Sequence, residues 1–171
     1  EVITKQIQEC FTWIASYVKE KEVKKIAIAG HSAGAHLLSF AISELFLTML
    51  PQDVQIDAIF LSGVFFLNEL RHLKAANENN ILSITDDNEL KLSPQCKKFD
   101  FLKNRVGVHI FAGKFESKTF MEQSKKFADG PMREFCINFD FLEVDHFDII
   151  EKFVTDENYK LSKLIIKCLM D

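Results

Sequence analysis

Residues 24–38 read Lys24-Lys25-Ile26-Ala27-Ile28-Ala29-Gly30-His31-Ser32-Ala33-Gly34-Ala35-His36-Leu37-Leu38, and this stretch decides the fold. An apolar run of strand length ends on Gly30, and an Ala- and Leu-rich run of helical length starts at Ala33 and stops before Pro51. Between them lies Gly30-x-Ser32-x-Gly34, a pattern that carries weight only where a strand precedes it and a helix follows. In so tight a turn the serine takes strained dihedrals, and glycine on either side avoids clashes. The strain lifts the hydroxyl above the sheet, where the helix N-terminus favours developing negative charge. Ser32 is the expected nucleophile, and the Ala33 N–H the expected oxyanion-hole donor. A helix N-cap serine with incidental glycines is the competing reading.

The same punctuation recurs along the chain. Residues 56–63 (IDAIFLSG) and 106–113 (VGVHIFAG) are continuous apolar runs ending in Gly, and residues 135–144 form a fourth run of β-rich composition. Helical periodicity marks residues 1–18 through Ile3, Ile7, Phe11, Ile14 and Val18; Ala/Leu content and Pro51 mark a helix over 33–50, Ser117 caps one over 117–128, and helical segments follow over 147–154 and 158–170. Residues 65–100 are polar and irregular, with a polar loop expected at Asn77–Asn80 and a turn at Leu92-Ser93-Pro94-Gln95. Strands without polar alternation, alternating with helices, predict an α/β fold: a mostly parallel sheet with helices on both faces, in three layers. Ligands in such sheets sit at the carboxyl ends of the strands, so chemistry is expected just after Gly30, Gly63, Gly113 and Val144.

A serine needs a base to act as a nucleophile. In strand–turn–helix nucleophile folds the order along the chain is Ser, acid, His. His31 and His36 lie too early, His72 precedes any acid candidate, and His109 sits inside a strand. His146, in the loop after the fourth run, is the expected base. The acid should follow the third strand, which selects Glu116 to accept the imidazole Nδ1–H and stabilise the imidazolium. Asp145 and Asp148 flank His146 too closely, and Asp140 lies inside a strand. Phe65 and Phe66, at a strand end, are candidates to line a pocket; substrate-binding residues are otherwise unassigned.

Composition bounds the remainder. With 171 residues, 47% apolar and 27% charged, the chain reads as a single globular domain, residues 1–171. Seventeen Phe supply core volume. The net charge of −4 comes from interspersed acids and bases, with no basic block for nucleic acid and no apolar run long enough for a membrane. Cys10, Cys96, Cys136 and Cys168 form no metal-ligand spacing, so no metal site is expected, and four scattered thiols suit a reducing, cytoplasmic setting. The expected partner is a small-molecule substrate, with a homodimer left open. Residue 1 is Glu rather than Met and already lies in a helical pattern, so the chain reads as part of something longer.

The string Ala29-Gly30-His31-Ser32-Ala33-Gly34-Ala35-His36-Leu37 resembles the nucleophile segment of the kynurenine formamidases (arylformamidases), serine hydrolases of the α/β-hydrolase fold. The resemblance continues through Leu61-Ser62-Gly63-Val64-Phe65, Leu92-Ser93-Pro94 and Glu116-Ser117-x-x-Phe120-x-x-Gln123-Ser124, and ends at Asp145-His146-Phe147-Asp148. It implies hydrolysis of N-formyl-L-kynurenine to L-kynurenine and formate in tryptophan breakdown, with Ser32 as nucleophile, His146 as base and no cofactor. A general carboxylesterase of the same fold and an inactive relative or fragment are the alternatives. Three departures stand out. Glu116 occupies the position of the family's Asp, and Phe66 stands where the family usually has Asp. The family's upstream H-G-G-x-W-like loop, which supplies further oxyanion donors, is absent from these residues. The resemblance thus implies an N-terminally truncated, C-terminal part of such a domain.

Overall fold

The structure, a computed structural model, describes residues 2–72 and 77–170. Residue 1 of the expected first helix, residues 73–76 of the irregular segment and residue 171 lie outside the described residues. In chain order the elements are α1 (Val2–Glu20), β1 (Lys25–His31), α2 (Ala33–Ala41), α3 (Glu44–Met49), β2 (Gln55–Leu61), α4 (Leu67–His72), α5 (Glu89–Leu92), β3 (Val106–Gly113), α6 (Lys118–Asp129), β4 (Cys136–Leu142), α7 (Asp148–Thr155) and α8 (Lys160–Met170), with short 3₁₀ turns between α4 and β3.

The four strands form one parallel sheet in the order β1-β2-β3-β4. Because side chains alternate across a strand, each strand serves two cores. Ile26 and Ile28, Ile56, Ala58 and Phe60, and Val106, Val108 and Ile110 pack with α1, α2, α3 and α6. Ala27, Ile59, Leu61 and Phe111 pack on the other face with α7 and α8 through Ile149, Tyr159 and Leu161. The three-layer α/β arrangement is therefore as expected. The first core is pinned by aromatic stacking: Phe65 and Phe127 lie parallel with ring centres 3.9 Å apart, and Phe60 meets Phe127 edge-on at 5.6 Å. Phe65 is thus a core residue, fully buried, and not a pocket wall.

One expected helix is two. The run 33–50 breaks after Ala41, because the Ser43 hydroxyl oxygen accepts the Phe46 N–H at 3.2 Å and starts a new helix with Glu44 in its first turn. A serine able to satisfy the backbone locally competes with helix continuation. The segment expected as a polar loop is instead tied down at its start. Asn77 is buried, donates to the Arg71 carbonyl and accepts the Leu82 N–H. Among the described residues no helix is long and apolar enough to cross a membrane.

Candidate active site

Every residue singled out for chemistry sits where its strand ends. Ser32 follows β1 with φ 55° and ψ −118°, a left-handed backbone that costs a non-glycine residue on the order of 1–3 kcal/mol. The turn is held by its neighbour strand: the Ser32 N–H donates to the Leu61 carbonyl at 2.9 Å. The two flanking glycines are not equivalent. A Cβ on Gly30 would lie 2.5 Å from the Gly34 carbonyl oxygen, whereas a Cβ on Gly34 would meet nothing within 4 Å. Close approach therefore requires glycine at position 30 only. The Ala33 N–H, at the first position of α2, has no carbonyl four residues back in its helix and points out of the helix end.

The loop after β4 carries His146 to this serine. His146 Nε2 lies 3.1 Å from Ser32 Oγ, across 114 residues of sequence. The ring is packed between Phe120 (4.5 Å between centres) and His31 (4.6 Å). His31 Nε2 donates to the His146 carbonyl at 2.8 Å, so it fixes the backbone of the loop. Burial, and then the nearby His146, hold the His31 pKa below its ordinary value, which keeps it neutral. Asp145 does not face the ring. Its Oδ1 accepts the N–H groups of Phe147 and Asp148, each at 2.8 Å, and these bonds lower its pKa. It is a turn cap.

The loop after β3 carries Glu116, whose side chain is wholly buried. Oε1 accepts the Gly113 N–H at 2.9 Å and the hydroxyl of Ser62. Oε2 faces His146 Nδ1 at 3.5 Å. Both atoms are buried, and neither has a hydrogen-bond partner among the described residues, so a closure of a few tenths of an ångström would satisfy both at once. Gly113 makes the approach feasible, since a Cβ there would lie 2.5 Å from the Val144 carbonyl and 2.9 Å from Glu116 Oε1.

The structure thus brings Ser32, His146 and Glu116 into one chain of contacts, with the Ala33 amide beside Ser32. His36 stays out: its Nδ1 lies 3.0 Å from the Val64 carbonyl, and burial lowers its pKa. Ser62 was not anticipated. It follows β2 with φ 47°, is fully buried, and orients Glu116. Its signal in the sequence is the Leu61-Ser62-Gly63 string at a strand's carboxyl end. Phe66 is half-buried, its N–H donating to Gln123 Oε1 at 2.9 Å.

A parallel sheet wrapped on both faces, a left-handed serine between the first strand and its helix, and a histidine and acid from later strand ends define the α/β-hydrolase fold. Among solved structures, an acetyl ester-xyloside bifunctional hydrolase from Caldicellulosiruptor lactoaceticus aligns over 96% of this chain and 62% of its own, with TM-score 0.65 and 13% identity. No protein-family model matches the sequence. Within the fold, the chain resembles the kynurenine formamidases. It is 32% identical to the kynurenine formamidase of Drosophila melanogaster over 166 residues, 92% of this chain and 54% of that protein. It is 29% identical to the kynurenine formamidase of Danio rerio over 152 residues, 86% of this chain and 50% of that protein. The chain spans about half the length of these relatives.

Proposed function

We propose that this chain carries the catalytic residues of a serine hydrolase that cleaves the formamide of N-formyl-L-kynurenine to L-kynurenine and formate. The observation that carries the proposal is the 3.1 Å contact between Ser32 Oγ and His146 Nε2, with Glu116 behind the ring. The formamidase likeness supports the choice of substrate.

Ser32 is the nucleophile, His146 the base and Glu116 the acid. With Nδ1–H directed at Glu116, the His146 Nε2 lone pair takes the Ser32 proton as Oγ attacks the formyl carbon. The Ala33 N–H donates to the oxyanion of the tetrahedral intermediate. Collapse breaks the C–N bond, and the arylamine leaves with the proton held on His146. Water then gives a proton to His146, attacks the formyl ester and releases formate, and His146 returns the proton to Ser32. No step requires a metal or cofactor. Phe120 beside the His146 ring and the exposed Phe147 offer apolar surface for an aryl substrate. The free thiols suit a cytoplasmic protein.

A fluorophosphonate probe should label Ser32, and kcat/KM for N-formyl-L-kynurenine should exceed that for p-nitrophenyl acetate. Labelling with the reverse order of substrates would point to a general carboxylesterase. Absence of labelling would overturn the assignment of Ser32.

A further inference from the structure

A second cluster of chemistry-bearing side chains lies away from Ser32, on the sheet face covered by α7 and α8. Asp57 of β2, His109 of β3 and Cys168 of α8 place one ligand atom each within 4.8 Å of one another. His109 Nε2 lies 2.8 Å from Asp57 Oδ1 and 3.9 Å from Cys168 Sγ. His109 is buried, and its neighbours on this face include Ile59 and Phe111. His109 precedes the carboxyl end of its strand by four residues, about 13 Å of extended chain. The Ser32 mechanism makes no use of the cluster.

We propose that Asp57, His109 and Cys168 form a three-ligand site for a divalent zinc-type metal ion, with water in the fourth position, that clips α8 to the sheet. The donor set decides the class of ion. Carboxylate, imidazole and thiolate together suit Zn²⁺, whereas Mg²⁺ and Ca²⁺ take oxygen ligands. The spacing agrees. Tetrahedral zinc with bonds of about 2.0–2.3 Å holds its ligand atoms roughly 3.3–3.7 Å apart, between the two separations from His109 Nε2.

Three further features fit the site. The β3–β4 register slips between Val108 and His109, which sets Asn138 opposite His109 and brings the Asn138 side-chain amide 2.8 Å from His109 Nδ1. As placed, Asn138 Nδ2 donates to Nδ1 and His109 Nε2–H donates to Asp57 Oδ1. A metal at Nε2 takes the place of that proton, and the amide turned over would then accept Nδ1–H, the usual outer-shell support of a ligand histidine. Gly107 leaves room for the carboxylate, since a Cβ there would lie 2.7 Å from Asp57 Oδ1. Finally, Asp57 and Gly107 line a groove of about 570 Å³ at the amino ends of the strands, which gives an ion a way in. Three ligands from three separate elements also explain why no spacing motif announces them.

The test uses the protein with Cys10, Cys96 and Cys136 replaced by Ser, so that Cys168 is the remaining thiol. Titration with Co²⁺ should give a thiolate-to-metal charge-transfer band saturating at one ion per chain. Calorimetry with Zn²⁺ should give the same stoichiometry, and Zn²⁺ should raise Tm. Adding Cys168→Ser should abolish the band and weaken Zn²⁺ binding tenfold or more. Asp57→Asn should weaken binding tenfold or more while keeping the band. His109 is left intact because its loss threatens the fold. If neither ion saturates at one per chain, or if either variant binds Zn²⁺ as well as its parent, the site is a plain Asp–His pair beside a thiol and the proposal fails.

Discussion

Replacing Glu116 by Gln changes one atom of the proposed triad, and the structure states what that atom does. Oε1 accepts the Gly113 N–H, which can only donate, and the Ser62 hydroxyl. In Glu116→Gln the amide oxygen must take that place. The reverse orientation leaves a buried backbone N–H facing an NH₂, at a cost of about 1–3 kcal/mol. The NH₂ therefore points at His146 Nδ1, donates to it, and drives the ring proton onto Nε2, where it blocks transfer from Ser32. The variant also loses a negative charge 3.5 Å from the imidazolium that forms during reaction. At an effective dielectric of ~20 that charge is worth about 5 kcal/mol. At about 1.4 kcal/mol per decade, the two effects together predict a fall in kcat/KM on the order of 10⁴, with little change in Tm because the shape is kept. Glu116→Asp keeps the charge and the correct tautomer, and should fall between parent and Gln variant. The assay is N-formyl-L-kynurenine hydrolysis with thermal unfolding as control. A Glu116→Gln rate within tenfold of the parent, or an equally large loss in Asp145→Asn, would refute the reasoning.

Ser32→Ala and His146→Ala should each lower hydrolysis by roughly a million-fold, since removing either partner of such a pair costs about as much as removing all; activity within tenfold of the parent in either would remove the assignment. The glycines flanking Ser32 should behave oppositely. Gly30→Ala forces a Cβ to 2.5 Å from the Gly34 carbonyl and should cost about 1–3 kcal/mol, whereas Gly34→Ala adds a helix former in free space and should stabilise by about 0.5–1 kcal/mol. Thermal melts separate the two, at roughly 2–4 °C per kcal/mol for a chain of this size. Stability should also fall on acidification. The folded state holds His31 and His36 below their ordinary value of 6.5, so the unfolded chain takes up protons first. Their contribution is fully present above pH 6.5 and is lost as pH drops below it. His36→Gln, which retains a donor for the Val64 carbonyl, should flatten the decline in Tm between pH 7 and 5; an unchanged slope would remove His36 from the account.

The strands, their parallel sense and the two covered faces were legible because each strand is an apolar run closed by Gly or by a loop, and such runs need cover on both sides. Boundaries were less legible. The break at Ile42 and Ser43 rests on one hydroxyl that serves equally well inside a helix or at its start, and periodicity does not distinguish the two uses. Phe65 and Phe66 are adjacent and chemically identical, yet one is stacked on Phe127 and the other is half-buried beside Gln123. The packing partner comes from α6, about sixty residues away, and no local pattern carries it.

The candidate site was legible because topology places its parts before geometry does. A serine at the end of one strand, a carboxylate after the third and a histidine after the fourth converge simply because the described strands are parallel and end at one edge. Topology does not position an atom to within an ångström. That is the work of Ser62 and Gly113, which hold one oxygen of Glu116 and thereby aim the other at His146. It also accounts for a Glu at the position where the resemblance implies an Asp. Gly113 has no Cβ to obstruct the Val144 carbonyl, so the acid and histidine loops lie close enough for the longer side chain to be drawn back and anchored by its own strand end. The Asp57–His109–Cys168 cluster was illegible for the complementary reason. Its members are 52 and 59 residues apart in sequence and meet through a strand register and a helix packed across it. Residue type alone assigns such a histidine to the core, where it indeed lies. Only its neighbours across the sheet and on α8 give it a further use.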